Sequence, residues 1–204
     1  MPSKTKPVYD CAMRILVAGA SGVIGQRLVP LLTSSGHLCL GMTRSESNAR
    51  LITQAGADAL VCDVYDSPRL ETAVSTFCPD LIWHLITDLP DDPSLLPQFA
   101  PANNRIRREG TANLLKAADL VKARIIAQSV AWQLPGDGGA AVSYLEKSVM
   151  DVGGIVVRYG QLYGPGTYYE STPPEHPRIH LDEAARRSLP AVDMGSGILV
   201  VKED

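Results

Sequence analysis

Between Arg14 and Gly25 the chain reads Arg-Ile-Leu-Val-Ala-Gly-Ala-Ser-Gly-Val-Ile-Gly, an apolar run that ends in three glycines spaced every third residue. An amphipathic stretch follows. A strand, a tight turn and a helix start in this order suit the pyrophosphate of a dinucleotide. Glycine lets the backbone approach the phosphates, and the first helical turn offers N–H groups with no intrahelical partner. The expected phosphate-binding set is Gly19, Ser21, Gly22, Val23, Ile24 and Gly25.

A second group stands where the next strand should end, in Gly41-Met-Thr-Arg-Ser45. A carboxylate here would bind a ribose 2′-hydroxyl and repel a 2′-phosphate. This chain instead offers the guanidinium fork of Arg44, with Thr43 and Ser45 able to add hydroxyls, which favours NADP over NAD. A charge at the start of a helix, solvated and without a ligand, is the bland reading of Arg44.

These residues must be held by a chain of 204 residues, enough for one domain with a substantial core. A net charge of −3 gives no sign of nucleic acid as partner. No apolar run reaches the roughly 18 to 20 residues of a membrane span. Met1–Cys11 lacks the apolar core of a secretory signal, so residues 1–12 are expected to form a flexible tail and 13–204 a single domain in the cytoplasm. The four cysteines, Cys11, Cys39, Cys62 and Cys78, have no metal-ligand spacing, and no metal site is expected.

Apolar runs alternate with helical patterns. Strands are expected at Ile15–Ala18, Leu38–Met42, Ala59–Cys62, Leu81–Leu85, Arg124–Ser129, Ile155–Tyr159 and Ile198–Val201. Helices are expected at Val23–Ser34, Glu46–Ala55, Pro68–Phe77, Asn103–Leu120, Ala140–Val152 and Asp182–Leu189. Alternation of this kind predicts a three-layer α/β fold: a doubly wound, Rossmann-like parallel sheet of about seven strands with helices on both faces. The expected strand order is 3-2-1-4-5-6-7. Pro30 should kink or shorten the first helix. Two proline-rich stretches, Asp88–Pro101 and Gly164–Pro177, follow strand ends on the ligand-binding rim and could line or cover a site.

The glycine spacing, Gly-x-x-Gly-x-x-Gly, resembles that of the extended and atypical short-chain dehydrogenase/reductases, the NAD(P)-dependent epimerase/dehydratase-like proteins. Cys62-Asp-Val64 resembles the family's third-strand end, and Leu81-Ile-Trp-His-Leu85 its fourth strand. Asn104 with Glu109-Gly-Thr-Ala-Asn-Leu-Leu115 resembles its Asn…Gly-Thr-x-Asn-Leu-Leu helix. Arg158-Tyr-Gly-Gln-Leu-Tyr-Gly-Pro-Gly166 and Arg178-Ile-His-Leu-Asp182 resemble two late elements. The resemblance implies that Asp63 contacts adenine and that Val64, Leu85, Thr87, Asn104, Ser129 and Tyr159 belong to the cofactor-binding set. It also implies a homodimer through the helices expected at 103–120 and 140–152.

In that superfamily a Tyr transfers the proton, a Lys four residues later lowers its pKa, and a Ser or Thr orients the carbonyl. Ser129 fits the serine position. Tyr144 and Lys147 are the candidate pair, but their spacing is three, which puts Lys147 about 100° around a helix from the family position. Val142–Val149 also reads as an ordinary helix with both residues on its surface. His84 reads as a core histidine, and Arg105, Arg107 and Arg108 as a solvated face. Little chain follows Gly166, so the substrate segment, about 164–181, is expected to be small and to suit a small carbonyl or hydroxy compound. The favoured function is an NAD(P)-dependent oxidoreductase. The alternatives are a non-catalytic redox sensor and an epimerase or dehydratase with tightly bound NAD(P).

Overall fold

The computed structural model describes residues 12–204. The expected tail therefore lies almost wholly outside the described residues, as does Cys11. The parallel sheet contains β1 (Arg14–Ala18), β2 (Leu38–Thr43), β3 (Asp58–Val61), β4 (Leu81–His84), β5 (Arg124–Val130), β6 (Ile155–Tyr159) and β9 (Gly197–Val201). Their order is β3-β2-β1-β4-β5-β6-β9, the order expected from sequence. A second sheet of two short parallel strands, β7 (Gln161–Tyr163) and β8 (Arg178–His180), was not anticipated. It brackets the second proline-rich stretch.

Side chains alternate between two apolar layers because successive strand residues face opposite ways. Ile15, Val17, Leu81, Trp83 and Ile126 pack under α1 (Gly25–Ser34), α2 (Glu46–Gln54) and α7 (Leu181–Ser188). Leu16, Ala18, Ile82, Ile125 and Ala127 pack under α3 (Ser67–Phe77), α5 (Thr111–Val121) and α6 (Gly136–Asp151). Parallel strands covered on both sides need continuous apolar runs, which is what the sequence supplies.

Three elements differ from expectation. Helix α1 runs through Pro30 without ending there, its buried stripe of Leu28, Val29 and Leu32 fixed against the sheet. The first proline-rich stretch is helical from Leu96: α4 (Leu96–Arg105) carries Pro97 in its first turn, where a missing N–H removes no helical hydrogen bond. A π-helical segment (Ile106–Gly110) then joins α4 to α5. Helix α6 starts at Gly136, earlier than expected, because Gly136-Asp-Gly-Gly139 reads as a turn on propensity alone. A Cβ on Gly139 would collide with the Leu134 carbonyl oxygen, so only glycine fits this entry into the helix.

Candidate functional site

The glycine turn hangs from β2. The N–H groups of Gly19 and Ala20 both donate to the Met42 carbonyl, at 3.1 and 3.2 Å. Gly19 has φ +90, and a Cβ there would stand 2.9 Å from the Ile86 backbone nitrogen. At Gly25 a Cβ would meet the carbonyl oxygens of Gly19 and Ala20 at 2.6 Å each. The turn is thus packed too closely for side chains on its inner side. Helix α1 has no side-chain cap at its N-terminus; the Gln26 and Arg27 N–H groups donate to the Gly22 and Ile24 carbonyls at 2.9 and 3.0 Å, which leaves those of Val23, Ile24 and Gly25 for an acceptor. A pyrophosphate fits this cradle, and a bound nicotinamide dinucleotide would supply hydride chemistry at its far end.

At the end of β2, Thr43 is buried and its hydroxyl meets that of Ser21 at 3.0 Å, locking the strand end to the turn. Arg44 is half exposed and pairs with Asp88 at 3.1 Å. Asp63 accepts from the Tyr65 N–H at 2.9 Å, and Asn113 donates to the Val64 carbonyl at 3.0 Å, tying the end of β3 to α5. Leu85 is buried beneath the turn, its N–H donating to Ala18, while Thr87 is exposed beyond it.

Asn104 is buried and donates to Asp137 at 2.8 Å, while Arg107 donates to Asn104 Oδ1 at 3.3 Å. Arg108 pairs with Asp137 at 2.5 Å, and Arg105 lies 3.9 Å over the Tyr65 ring. The three arginines are therefore not simply a solvated face: they fasten α4 and the π segment to their neighbours. His84 is fully enclosed. The Ile86 N–H donates to its Nδ1 at 3.3 Å, so Nε2 carries the proton and bonds the Thr111 hydroxyl at 3.2 Å. Burial holds its pKa down at about 4.

The expected proton-transfer set is not gathered. Tyr144 is exposed, and Lys147 pairs with Asp151 at 2.6 Å on the outer side of α6. Leu145 and Val149 occupy the inner side. Tyr159, expected beside the cofactor, points into the opposite apolar layer. There its hydroxyl meets that of Ser188 at 2.6 Å, and burial raises its pKa.

What meets Ser129 is Glu146. The serine hydroxyl donates to Glu146 Oε1 at 2.6 Å, and Arg158 clasps the same carboxylate through Nε at 2.9 Å and Nη2 at 2.5 Å. Strand register explains the grouping: Ser129 and Arg158 are opposite partners on β5 and β6, and α6 lies across both. Burial alone would raise the Glu146 pKa, but the hydrogen bonds from Arg158 and Ser129 outweigh it and the net shift is downward. The carboxylate is ionised at neutral pH. Sequence reading missed Glu146. Its signal is an acidic residue in the stripe Val142, Leu145, Glu146, Val149, which is otherwise apolar at helical spacing.

The two proline-rich stretches meet above this rim. The Tyr168 hydroxyl donates to the Pro90 carbonyl, and Arg27 of α1 donates to the Pro165 carbonyl at 3.1 Å. The arrangement has a turn that fits phosphates at one end of the rim, a polar Ser-Glu-Arg unit at the other and two loops joined over them.

A doubly wound parallel sheet with this turn after its first strand defines a Rossmann-like nucleotide-binding domain. Over residues 15–134 the sequence matches the NAD dependent epimerase/dehydratase family, to which the chain belongs. A 3-diazoavenalumate denitrifying reductase from Streptomyces sp is 37% identical over 185 residues, covering 77% of this chain and 59% of that protein. The chain thus spans about 59% of that relative's length. The UDP-glucose 4-epimerase of Thermus thermophilus, solved with NAD, superposes with a TM-score of 0.77 at 18% identity, over 93% of this chain and 78% of the other. The UDP-Glc/GlcNAc 4-epimerase of Campylobacter jejuni gives 0.78 at 14% identity, over 94% and 78%. Among the described residues no helix is long and apolar enough to cross a membrane.

Proposed function

We propose that the protein is an NAD(P)H-dependent reductase of a small organic molecule. The observation that carries this is the Gly19–Gly25 turn, closed to side chains and set against the uncapped N-terminus of α1. The pyrophosphate lies on Gly19, Ser21, Gly22, Val23, Ile24 and Gly25, with Asp63 and Val64 toward adenine and Leu85, Thr87 and Ser129 toward the nicotinamide. The reductase named among the relatives supports reduction over epimerisation. The fold neighbours favour a second reading, an epimerase that keeps its cofactor bound.

Arg44 selects NADP by exchanging its Asp88 partner for the 2′-phosphate. Fluorescence titration tests both statements. NADPH is expected to bind more tightly than NADH, and Arg44→Ala to weaken NADPH about ten- to hundredfold, the loss of a charge-assisted bond, with NADH unchanged. Equal affinities in both proteins would remove the NADP preference, and no binding of either cofactor would remove the reductase. Cofactor that co-purifies and is never consumed would favour the epimerase.

A further inference from the structure

Three hydrogen-bond donors at the ends of β4 and β5, those of His84, Gln128 and Ser129, face inward. The His84 N–H is held by Thr111, the Gln128 side-chain amide donates to the Leu85 carbonyl at 3.0 Å, and the Ser129 hydroxyl donates to Glu146 at 2.6 Å. A hydroxyl has one proton and two lone pairs. With its proton on an ionised carboxylate, itself clasped by Arg158, Ser129 presents only lone pairs to a ligand, and donation to a charge polarises that oxygen further. Neutral ketones need the opposite. The oxygen gains negative charge as the carbon is reduced and must meet a donor, then a proton. Tyr144 and Lys147, which would have supplied both, lie on the outer side of α6.

We propose that the hydride acceptor is a cationic electrophile, an iminium or an arenediazonium ion, held with its positive end against the Ser129 oxygen. The proposal rests on the reductase reading above and specifies its substrate class. The bookkeeping of atoms closes without a proton. An iminium carbon receives a hydride with its electron pair from a dihydronicotinamide, the C=N π pair moves to nitrogen, and a neutral amine leaves with an oxidised nicotinamide. An arenediazonium carbon receives the same hydride, and the C–N pair departs with dinitrogen. In both cases the substrate loses its charge, so product has no further attraction to the Ser129 oxygen. Glu146 does not touch substrate: it is a positioning residue that fixes the direction of the serine proton, and Arg158 keeps it ionised.

The test uses the full chain with NADPH and two cationic probes, N-methyl-3,4-dihydroisoquinolinium and 4-methoxybenzenediazonium, against the neutral ketone α-tetralone. Blanks without enzyme are subtracted. At least one cation should be reduced about a hundredfold faster than the ketone, the advantage ordinarily provided by general acid catalysis. The solvent deuterium isotope effect should be near unity, since no proton moves. A readout independent of turnover is calorimetric binding of a cation that cannot be reduced, N,N-dimethyl-1,2,3,4-tetrahydroisoquinolinium, against neutral tetralin.

Glu146→Gln removes the charge that holds the serine proton and should narrow both preferences by about tenfold, one weakened hydrogen bond. Ser129→Ala, which leaves the Arg158–Glu146 pair in place, should do the same and covers the case in which Glu146→Gln fails to fold. Cofactor binding with ketone reduced as fast as cation overturns the proposal and leaves the reductase standing. Cofactor binding with no cation reduced also overturns the proposal. Failure to bind cofactor overturns both.

Discussion

Substituting Gly25 with alanine separates crowding from backbone strain in the phosphate turn. The added Cβ would lie 2.6 Å from two carbonyl oxygens, those of Gly19 and Ala20. A relaxed carbon–oxygen contact is about 3.3 Å, so the turn must retreat by about 0.7 Å. Both obstacles are backbone and cannot swing aside as a flexible side chain would. Overpacking costs about 1–3 kcal/mol, and this site belongs at the upper end. With a urea slope of about 2–3 kcal/mol per molar, the unfolding midpoint falls by about 1 M. The N–H groups that would face the phosphates move with the turn. Losing one charge-assisted bond raises the NADPH dissociation constant about ten- to hundredfold. Gly36→Ala is the control: φ there is +94 and no heavy atom lies within 4 Å of the new Cβ. It costs about 1–2 kcal/mol through strain alone and leaves NADPH affinity unchanged. Chemical denaturation and fluorescence titration of the two variants side by side decide the matter. A Gly25→Ala protein with the wild-type midpoint, or with no greater loss of affinity than Gly36→Ala, would refute the reasoning.

Other sites yield independent expectations. Because burial lowers the His84 pKa from 6.5 to about 4, its contribution to stability is complete above pH 6.5 and is lost as the pH falls toward 4. The loss is about 3 kcal/mol. Urea titrations across that window should show it and His84→Gln should reduce it, whereas identical slopes would sink the assignment. The Cys39 thiol is buried and pushed up to about 12, and burial also raises Cys62, while Cys78 is exposed. Iodoacetamide followed by peptide mass mapping should modify Cys78 in the native protein and reach Cys39 and Cys62 only after unfolding. Tyr144→Phe and Lys147→Ala should each shift stability by less than about 0.5 kcal/mol, as exposed substitutions do. Glu146→Ala should cost about 2 kcal/mol, less than for a fully buried pair because the Arg158 side chain keeps 37% of its exposure. Thermal melts showing the reverse ranking would contradict the placement of α6.

Elements whose pattern is repeated along several residues were readable from sequence. The continuous apolar strands Ile15–Ala18 and Ile155–Tyr159 and the alternation of strand with helix define the sheet and its order. Interactions that depend on single contacts were not readable. Gly136–Gly139 has poor helix propensity, yet α6 begins there, and Leu134 leaves no room for a side chain at Gly139. The prolines of the first rim segment suggested a loop, although Pro97 occupies the helical position that tolerates it. The Tyr144–Lys147 candidate came from residue types near the right place. Only the rotation of α6, set by Ala141, Leu145 and Val149 in the core, shows that these two face outward and Glu146 inward. Tyr159 shows the same limit in a strand, where a one-residue step decides which layer receives the ring.

That parity also explains why Arg158 belongs with Ser129. On β6, Val157 and Tyr159 enter the layer beneath α1 and α7, which commits Arg158 to the face under α6, opposite Ser129 in the β5–β6 register. A guanidinium at that position needs a carboxylate, and the inward stripe of α6 provides one residue that can serve, Glu146. Once ionised and clasped, Glu146 draws the serine proton toward the helix. The polarity that Ser129 offers to a ligand is therefore determined by strand register and helix rotation together, two features fixed by apolar packing far from any substrate. Tyr144 and Lys147, at the outer positions of α6, do not reverse it, whereas removing the single charge on Glu146 would.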